Sequence, residues 1–131
     1  MFYIFIMQHN NILPVVLAGG KSKRFGEDKS QAKLGGKMLI DYILKEILDD
    51  FNEVLIVANS SIQYLNSDKI IKIEDFKKNL GPLGGIFSAM KWVKDNNKKY
   101  QWIASFPSDT PFFKIDNFND FLTKKKVNCF L

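Results

Sequence analysis

Four short apolar runs, each ended by a break in the pattern, constrain this chain more than any other feature. They are ILPVVLA at Ile12–Ala18, EVLIVA at Glu53–Ala58, KIIKIED at Lys69–Asp75 and QWIASF at Gln101–Phe106. A continuous apolar run of this length suits a strand covered on both faces, the usual state of a parallel strand. Pro14 stands near enough to the start of the first run to be tolerated there. Between the runs, apolar residues recur at helical spacing. Ile40, Ile43, Leu44, Ile47, Leu48 and then Phe51 mark a helix over Met38–Asp50. Ile86, Ala89, Met90 and Val93 mark another, ending near Asn96, and Phe118, Phe121 and Leu122 mark a last one. SSIQYLN at 60–66 reads as a short serine-capped helix. Strands that alternate with helices imply an α/β fold, with a mainly parallel sheet and helices on both faces.

The 131 residues favour one domain spanning 1–131. Hydrophobic residues make up 46% and charged residues 25%, as in an ordinary globular chain. One cysteine, Cys129, and one histidine, His9, exclude a disulfide framework and leave too few ligands for a zinc site. The single cysteine is compatible with the cytoplasm, the expected compartment. No stretch approaches the roughly 18 apolar residues of a membrane helix. The opening MFYIFIM is apolar but short and lacks a basic flank. It reads either as a strand extension or as leader sequence ahead of a start at Met7. A net charge of +5 suits an anionic ligand such as a nucleotide. It also suits nucleic acid, but Glu27 and Asp28 inside the first glycine-rich segment argue against that, and no nucleic-acid motif is present.

Each unusual segment follows the carboxyl end of a predicted strand. GGKSKRFGEDK follows the first, NSS the second, EDFKKNLGPLGG the third and PSDTP the fourth. Ligands of open α/β sheets bind outside those ends, so the four loops should meet at one crevice. Gly19 and Gly20 would let backbone N–H groups approach phosphate oxygens. Their spacing matches neither the dinucleotide nor the P-loop fingerprint, and alone the pair fits a plain strand-to-helix turn at least as well. Arg24 and Lys29 could grip and neutralise phosphates, whereas Lys21 and Lys23 read as solvated. Asp109, stiffened by Pro107 and Pro111, offers hard oxygens for Mg2+ or caps the next turn. Asp75 could meet a base edge or cap its loop, and Asn59 could touch base or ribose or merely turn the chain. GPLGG, beginning at Gly81, could close on a nucleoside or admit a helix with Pro82 in its first turn. Asp116 and Asp120 read as solvated helix positions, His9 as incidental, and the phenylalanines around SFPSDTPFF as core.

In order along the chain, LAGGKSKRFGEDK, GGKMLIDYIL, IEDFKKNLGPLGGI and FPSDTPF closely resemble the molybdenum cofactor guanylyltransferase family. The resemblance spans about Leu13 to Phe113. It implies a Rossmann-like nucleotidyltransferase fold and transfer of GMP from GTP to molybdopterin-bound molybdenum, with Mg2+ and release of pyrophosphate. Residue by residue, it implies that Leu17, Ala18 and Gly19 meet the guanine nucleotide and that Gly20 and Arg24 complete the phosphate-facing loop. It makes Lys29 a phosphate ligand, Asp75 a nucleotide contact and Asp109 the Mg2+ ligand. Other molybdenum cofactor biosynthesis proteins become possible partners. LAGG and the intact GPLGG favour GTP over the CTP and sugar-phosphate relatives, which more often read LAAG.

Two departures stand against the family pattern. Val57 occupies the first position of an Asn-x-Asn pair, leaving Asn59. Family members also continue well past Leu131, so the domain is expected to be incomplete at its C-terminal side. A GTP-binding module without catalysis is the alternative.

Overall fold

The computed structural model describes residues 9–18, 32–59, 61–76 and 80–128. Four parallel strands form the main sheet: β1 (Ile12–Leu17), β4 (Val54–Val57), β5 (Ile70–Ile73) and β6 (Trp102–Pro107), in the order β5-β4-β1-β6. All four expected strands are present. Each is slightly shorter than the apolar run that announced it, save that β6 extends one residue further, to Pro107. Pro14 lies one residue ahead of the β1–β4 ladder, whose register begins at Val15↔Leu55. Its missing N–H therefore removes no bond from the β1–β4 ladder, while on the other side Pro14 stands in register with Ala104 of β6.

β2 (Lys33–Leu34) and β3 (Lys37–Met38) make a small hairpin that the apolar pattern did not suggest. Its two-residue turn is Gly35–Gly36, both at positive φ, the geometry that joins antiparallel strands most tightly. Tyr42 Oη donates to the Leu34 carbonyl at 2.7 Å and pins the hairpin to the next helix.

α1 (Leu39–Leu48) buries Ile40, Ile43, Leu44 and Ile47, the stripe its sequence spacing foretold. They pack with Ile12, Val16, Val54 and Ile56 on one face of the sheet, joined by Leu122 of α3 (Ile115–Asn128). α2 (Pro82–Asp95) covers the other face, where Ala89, Trp92 and Val93 meet Leu13, Val15, Leu55 and Val57. Alternate β1 residues thus enter opposite layers, as strand geometry requires. Helices on both faces of a parallel sheet match the expected α/β architecture.

The short helix expected at 60–66 does not form over its described residues, and Ser60 lies outside them. Residues 61–67 run without regular structure. Ile62 is buried against the α1 layer with Tyr64 and Leu65 beside it, and Leu65 N–H donates to Asp41 Oδ1 at 2.8 Å. A carboxylate on α1 therefore takes a donor that a helix would have used internally.

Polar contacts bind the periphery. His9 bonds through Nε2 to Asn119 Oδ1 at 2.8 Å and meets the Phe51 ring edge-on, contacts that hold the periphery. Phe106, Phe113 and Phe118 form an aromatic cluster and are core as expected. Phe112 is not; it is 84% exposed. Asp116 and Asp120 lie exposed on α3, as their pattern suggested.

Candidate functional site

The strand order places β4 and β5 on one side of β1 and β6 on the other. The chain reverses direction across the sheet at β1, and the crevice of such folds opens at the carboxyl ends beside that reversal. There the register aligns one residue from each strand: Ile73 pairs with Val57, Val57 with Leu17, and Leu17 with Pro107. Hydrogen bonds carry the ladder one step further. Ala18 N–H donates to the Val57 carbonyl at 2.9 Å, Ala58 N–H to the Ile73 carbonyl at 3.0 Å, and Ser108 N–H to the Leu17 carbonyl at 3.3 Å.

Asp75, Asn59 and Asp109 each stand two residues beyond their strand's member of that row. Three of the residues singled out in the sequence thus follow one level row at the carboxyl edge of the sheet. Leu17 and Ala18 sit on the central strand between them. Gly19, Gly20, Arg24 and Lys29, like the opening MFYIFIM, lie outside the described residues.

Asp109 is exposed, and no hydrogen bond or ion pair to its carboxylate occurs among the described residues. The local turn is closed instead by Thr110 Oγ1, which donates to the Pro107 carbonyl at 3.1 Å. The carboxylate is therefore not consumed as a turn cap. Among the described residues no group of three or more His, Cys, Asp or Glu side chains gathers to hold a metal. A lone accessible carboxylate does fit Mg2+, which keeps several waters and takes one or two protein carboxylates together with substrate phosphates.

Asp75 is held from within the protein. Ser88 Oγ, on α2, lies 3.0 Å from Asp75 Oδ1 and accepts the Phe76 N–H at 2.7 Å. Spacing along the chain gave no sign of this partner, which is 13 positions away. Gly81 occupies the N-cap position of α2 with φ of 61° and ψ of −149°, a backbone that favours glycine. Pro82 follows as the first helical residue, so GPLGG is a helix entry and the Gly81 carbonyl accepts from Gly84 N–H at 3.1 Å. Asn59 is exposed. Val57 is buried and its carbonyl serves the sheet, so the position that departs from Asn-x-Asn contributes to the ladder.

Gly85 is a packing position beside the site that the pattern missed. A β-carbon there would stand 2.6 Å from Leu17 Cδ2, so α2 rests directly on the carboxyl end of β1. The last glycine of GPLGG was its only signal.

A model of the MobA-like NTP transferase domain matches residues 14–127. The chain belongs to that family. A probable molybdenum cofactor guanylyltransferase of Bacillus cereus is 38% identical over 102 residues, covering 74% of this chain and 48% of the relative. One from Natranaerobius thermophilus is 37% identical over 108 residues, covering 79% and 49%. The chain spans about half the length of the curated relatives it matches. Among solved structures, Rv0371c from Mycobacterium tuberculosis superposes with a TM-score of 0.67 at 16% identity, over 89% of this chain and 61% of that one. The 4-diphosphocytidyl-2C-methyl-D-erythritol synthase of Anaerococcus prevotii gives 0.64 at 11% identity, over 90% and 52%. At such identities the likeness is one of fold, and the fold is that of nucleotidyltransferase-like proteins.

Proposed function

We propose that this chain is the nucleotide-binding part of a molybdenum cofactor guanylyltransferase, which moves GMP from GTP to molybdopterin. The observation that carries the reading is the level row at the carboxyl ends of β5, β4, β1 and β6. It sets Asp75, Asn59 and Asp109 beyond the carboxyl ends of β5, β4 and β6. The named relatives from Bacillus and Natranaerobius support the choice of substrate.

In this reading the backbone of Leu17, Ala18 and Gly19 receives the guanine nucleotide, with Gly20 and Arg24 facing its phosphates. Arg24 and Lys29 offset the charge that grows on the transferred group and on the departing pyrophosphate. Asp109 would hold Mg2+, whose positive charge would help to offset that of the phosphates. Asp75 and Asn59 hold the nucleoside end. A phosphate oxygen of molybdopterin forms a bond to the α-phosphorus of GTP as the bond to the pyrophosphate oxygen breaks.

The test is a thermal-shift series on the 131-residue chain with Mg2+ and, separately, GTP, CTP and ATP. Ligand at a hundred times its dissociation constant stabilises by about 2.7 kcal/mol. A rise in Tm with GTP alone, lost in Asp109→Ala, is expected. A rise with CTP alone would replace GTP in the reading, and no rise with any nucleotide would overturn it. GMP transfer by the same chain separates an active enzyme from a binding module.

A further inference from the structure

We infer that Ser88 is a positioning residue for the nucleotide: its hydroxyl sets the direction of the Asp75 carboxylate and fixes the backbone at Phe76. The inference rests on the reading of Asp75 as a nucleotide contact.

Ser88 is one of two buried polar residues among the described ones, at 4% exposure. It lies on the sheet-facing side of α2, next to Ala89 and one turn beyond Gly84 and Gly85, all of them buried. A buried hydroxyl must be hydrogen-bonded, but its own helix already supplies a partner, the Gly84 carbonyl at 2.9 Å. A serine in a helix commonly bonds back in this way and needs nothing more. Here the same oxygen also receives the Phe76 N–H at 2.7 Å and lies 3.0 Å from Asp75 Oδ1.

The hydroxyl has one proton to give. The ionised Asp75 oxygen is the stronger acceptor of the two within reach. Accepting the Phe76 N–H polarises the hydroxyl further towards that donation. The result is a relay from Phe76 N–H through Ser88 Oγ to Asp75 Oδ1. It crosses from α2 to the first residues beyond β5, where the Phe76 ring also meets Phe87 and Lys91 of the same helix. Asp75 stands at the sheet edge where the nucleoside end is placed, so the direction of its carboxylate bears on affinity as well as on local order.

The test compares the dissociation constant for Mg2+-GTP, by titration calorimetry, with the Tm of the same 131-residue variants. Ser88→Ala should bind GTP about tenfold more weakly, the scale of a lost hydrogen bond to a charged group. Ser88→Thr, which keeps the hydroxyl, should bind within about threefold of the parent. In an Asp75→Asn background, adding Ser88→Ala should change affinity less than twofold, because the two residues act as one unit. If Ser88→Ala does not fold, Ser88→Cys, of similar volume and a weak donor, takes its place with the same expectation.

A fall in Tm with unchanged GTP affinity in Ser88→Ala would reduce Ser88 to a structural tie and overturn the inference. So would independent, multiplying effects of the two substitutions. If Asp75→Asn binds GTP normally while Asp109→Ala does not, the Asp75 assignment itself is wrong and the inference falls with it. If Asp75→Asn weakens binding and Ser88→Ala does not, the inference alone falls.

Discussion

A β-carbon on Gly85 would lie 2.6 Å from Cδ2 of Leu17, the last residue of β1. α2 can settle on the carboxyl end of the central strand because that position has no side chain. The obstructing atom is the tip of a flexible side chain, so one methyl is tolerable. Gly85→Ala should displace the Leu17 side chain and gain about 1 kcal/mol of helix propensity, leaving stability within about 1 kcal/mol of the parent. Gly85→Val adds two further carbons towards Leu17 and Val57, and overpacking of that kind costs about 1–3 kcal/mol. Thermal unfolding should show Gly85→Ala near the parent Tm and Gly85→Val well below it. Equal Tm values would mean that the helix does not rest on Leu17.

Asp109 is exposed and bonds to nothing among the described residues, so the fold does not depend on it. Asp109→Ala should leave Tm unchanged in the absence of ligand. Placed in a full-length relative at the equivalent position, it should lower GMP transfer at least ~100-fold, the scale expected when a group that stabilises transition-state charge is removed. Raising Mg2+ should recover part of that loss. Turnover near that of the parent would remove Asp109 from the metal-binding role.

The strands were legible because each is a compact apolar run, and the layers followed from helical spacing on α1. The β2–β3 hairpin was not, because its strands are two residues each and rich in lysine, so neither shows a period. The helix expected at 60–66 failed for a tertiary reason: Asp41 takes the Leu65 N–H, and Ile62 buries against α1 in an irregular path. α2 begins at Pro82, four residues ahead of its first periodic apolar residue, because small residues fill the turn that meets β1. Asp75 and Asp109 were found by their place after strands. Ser88 and Gly85 were not, since a buried hydroxyl and a close approach leave no trace in local spacing.

Tyr100 and Lys98 both reach Glu53 from the start of β6, at 2.7 and 2.9 Å, tying the amino end of that strand to β4. Burial, reinforced by the hydrogen bond to Glu53, pushes the Tyr100 phenol well above its ordinary value near 10. The folded state therefore favours the neutral phenol. Its contribution to stability is complete below the unfolded value and is lost as pH rises towards the folded one. Tyr100→Phe should cost about 1 kcal/mol at neutral pH. The gap between the two unfolding curves should narrow above pH ~10. A constant gap across that range would show that the phenol proton plays no part.

Glu46 supplies the corresponding contact on the opposite face and titrates in the opposite sense. Its carboxylate accepts from Lys114 Nζ at 2.9 Å and from the Ile115 N–H at 3.2 Å, so α1 holds the first residue of α3. The Lys114 hydrogen bond, with help from the Ile115 N–H, keeps the carboxyl below its ordinary value of 4.5. A depressed folded value stabilises above the unfolded one and loses that stabilisation as pH falls through the folded value. The Lys114 side chain is 68% exposed, so screening limits the effect. Glu46→Gln should lower Tm by only ~1–3 °C at neutral pH. The difference should close on acidification below pH ~4 and shrink in high salt. A difference that survives at low pH would trace the loss to packing of the longer contact, not to its charge.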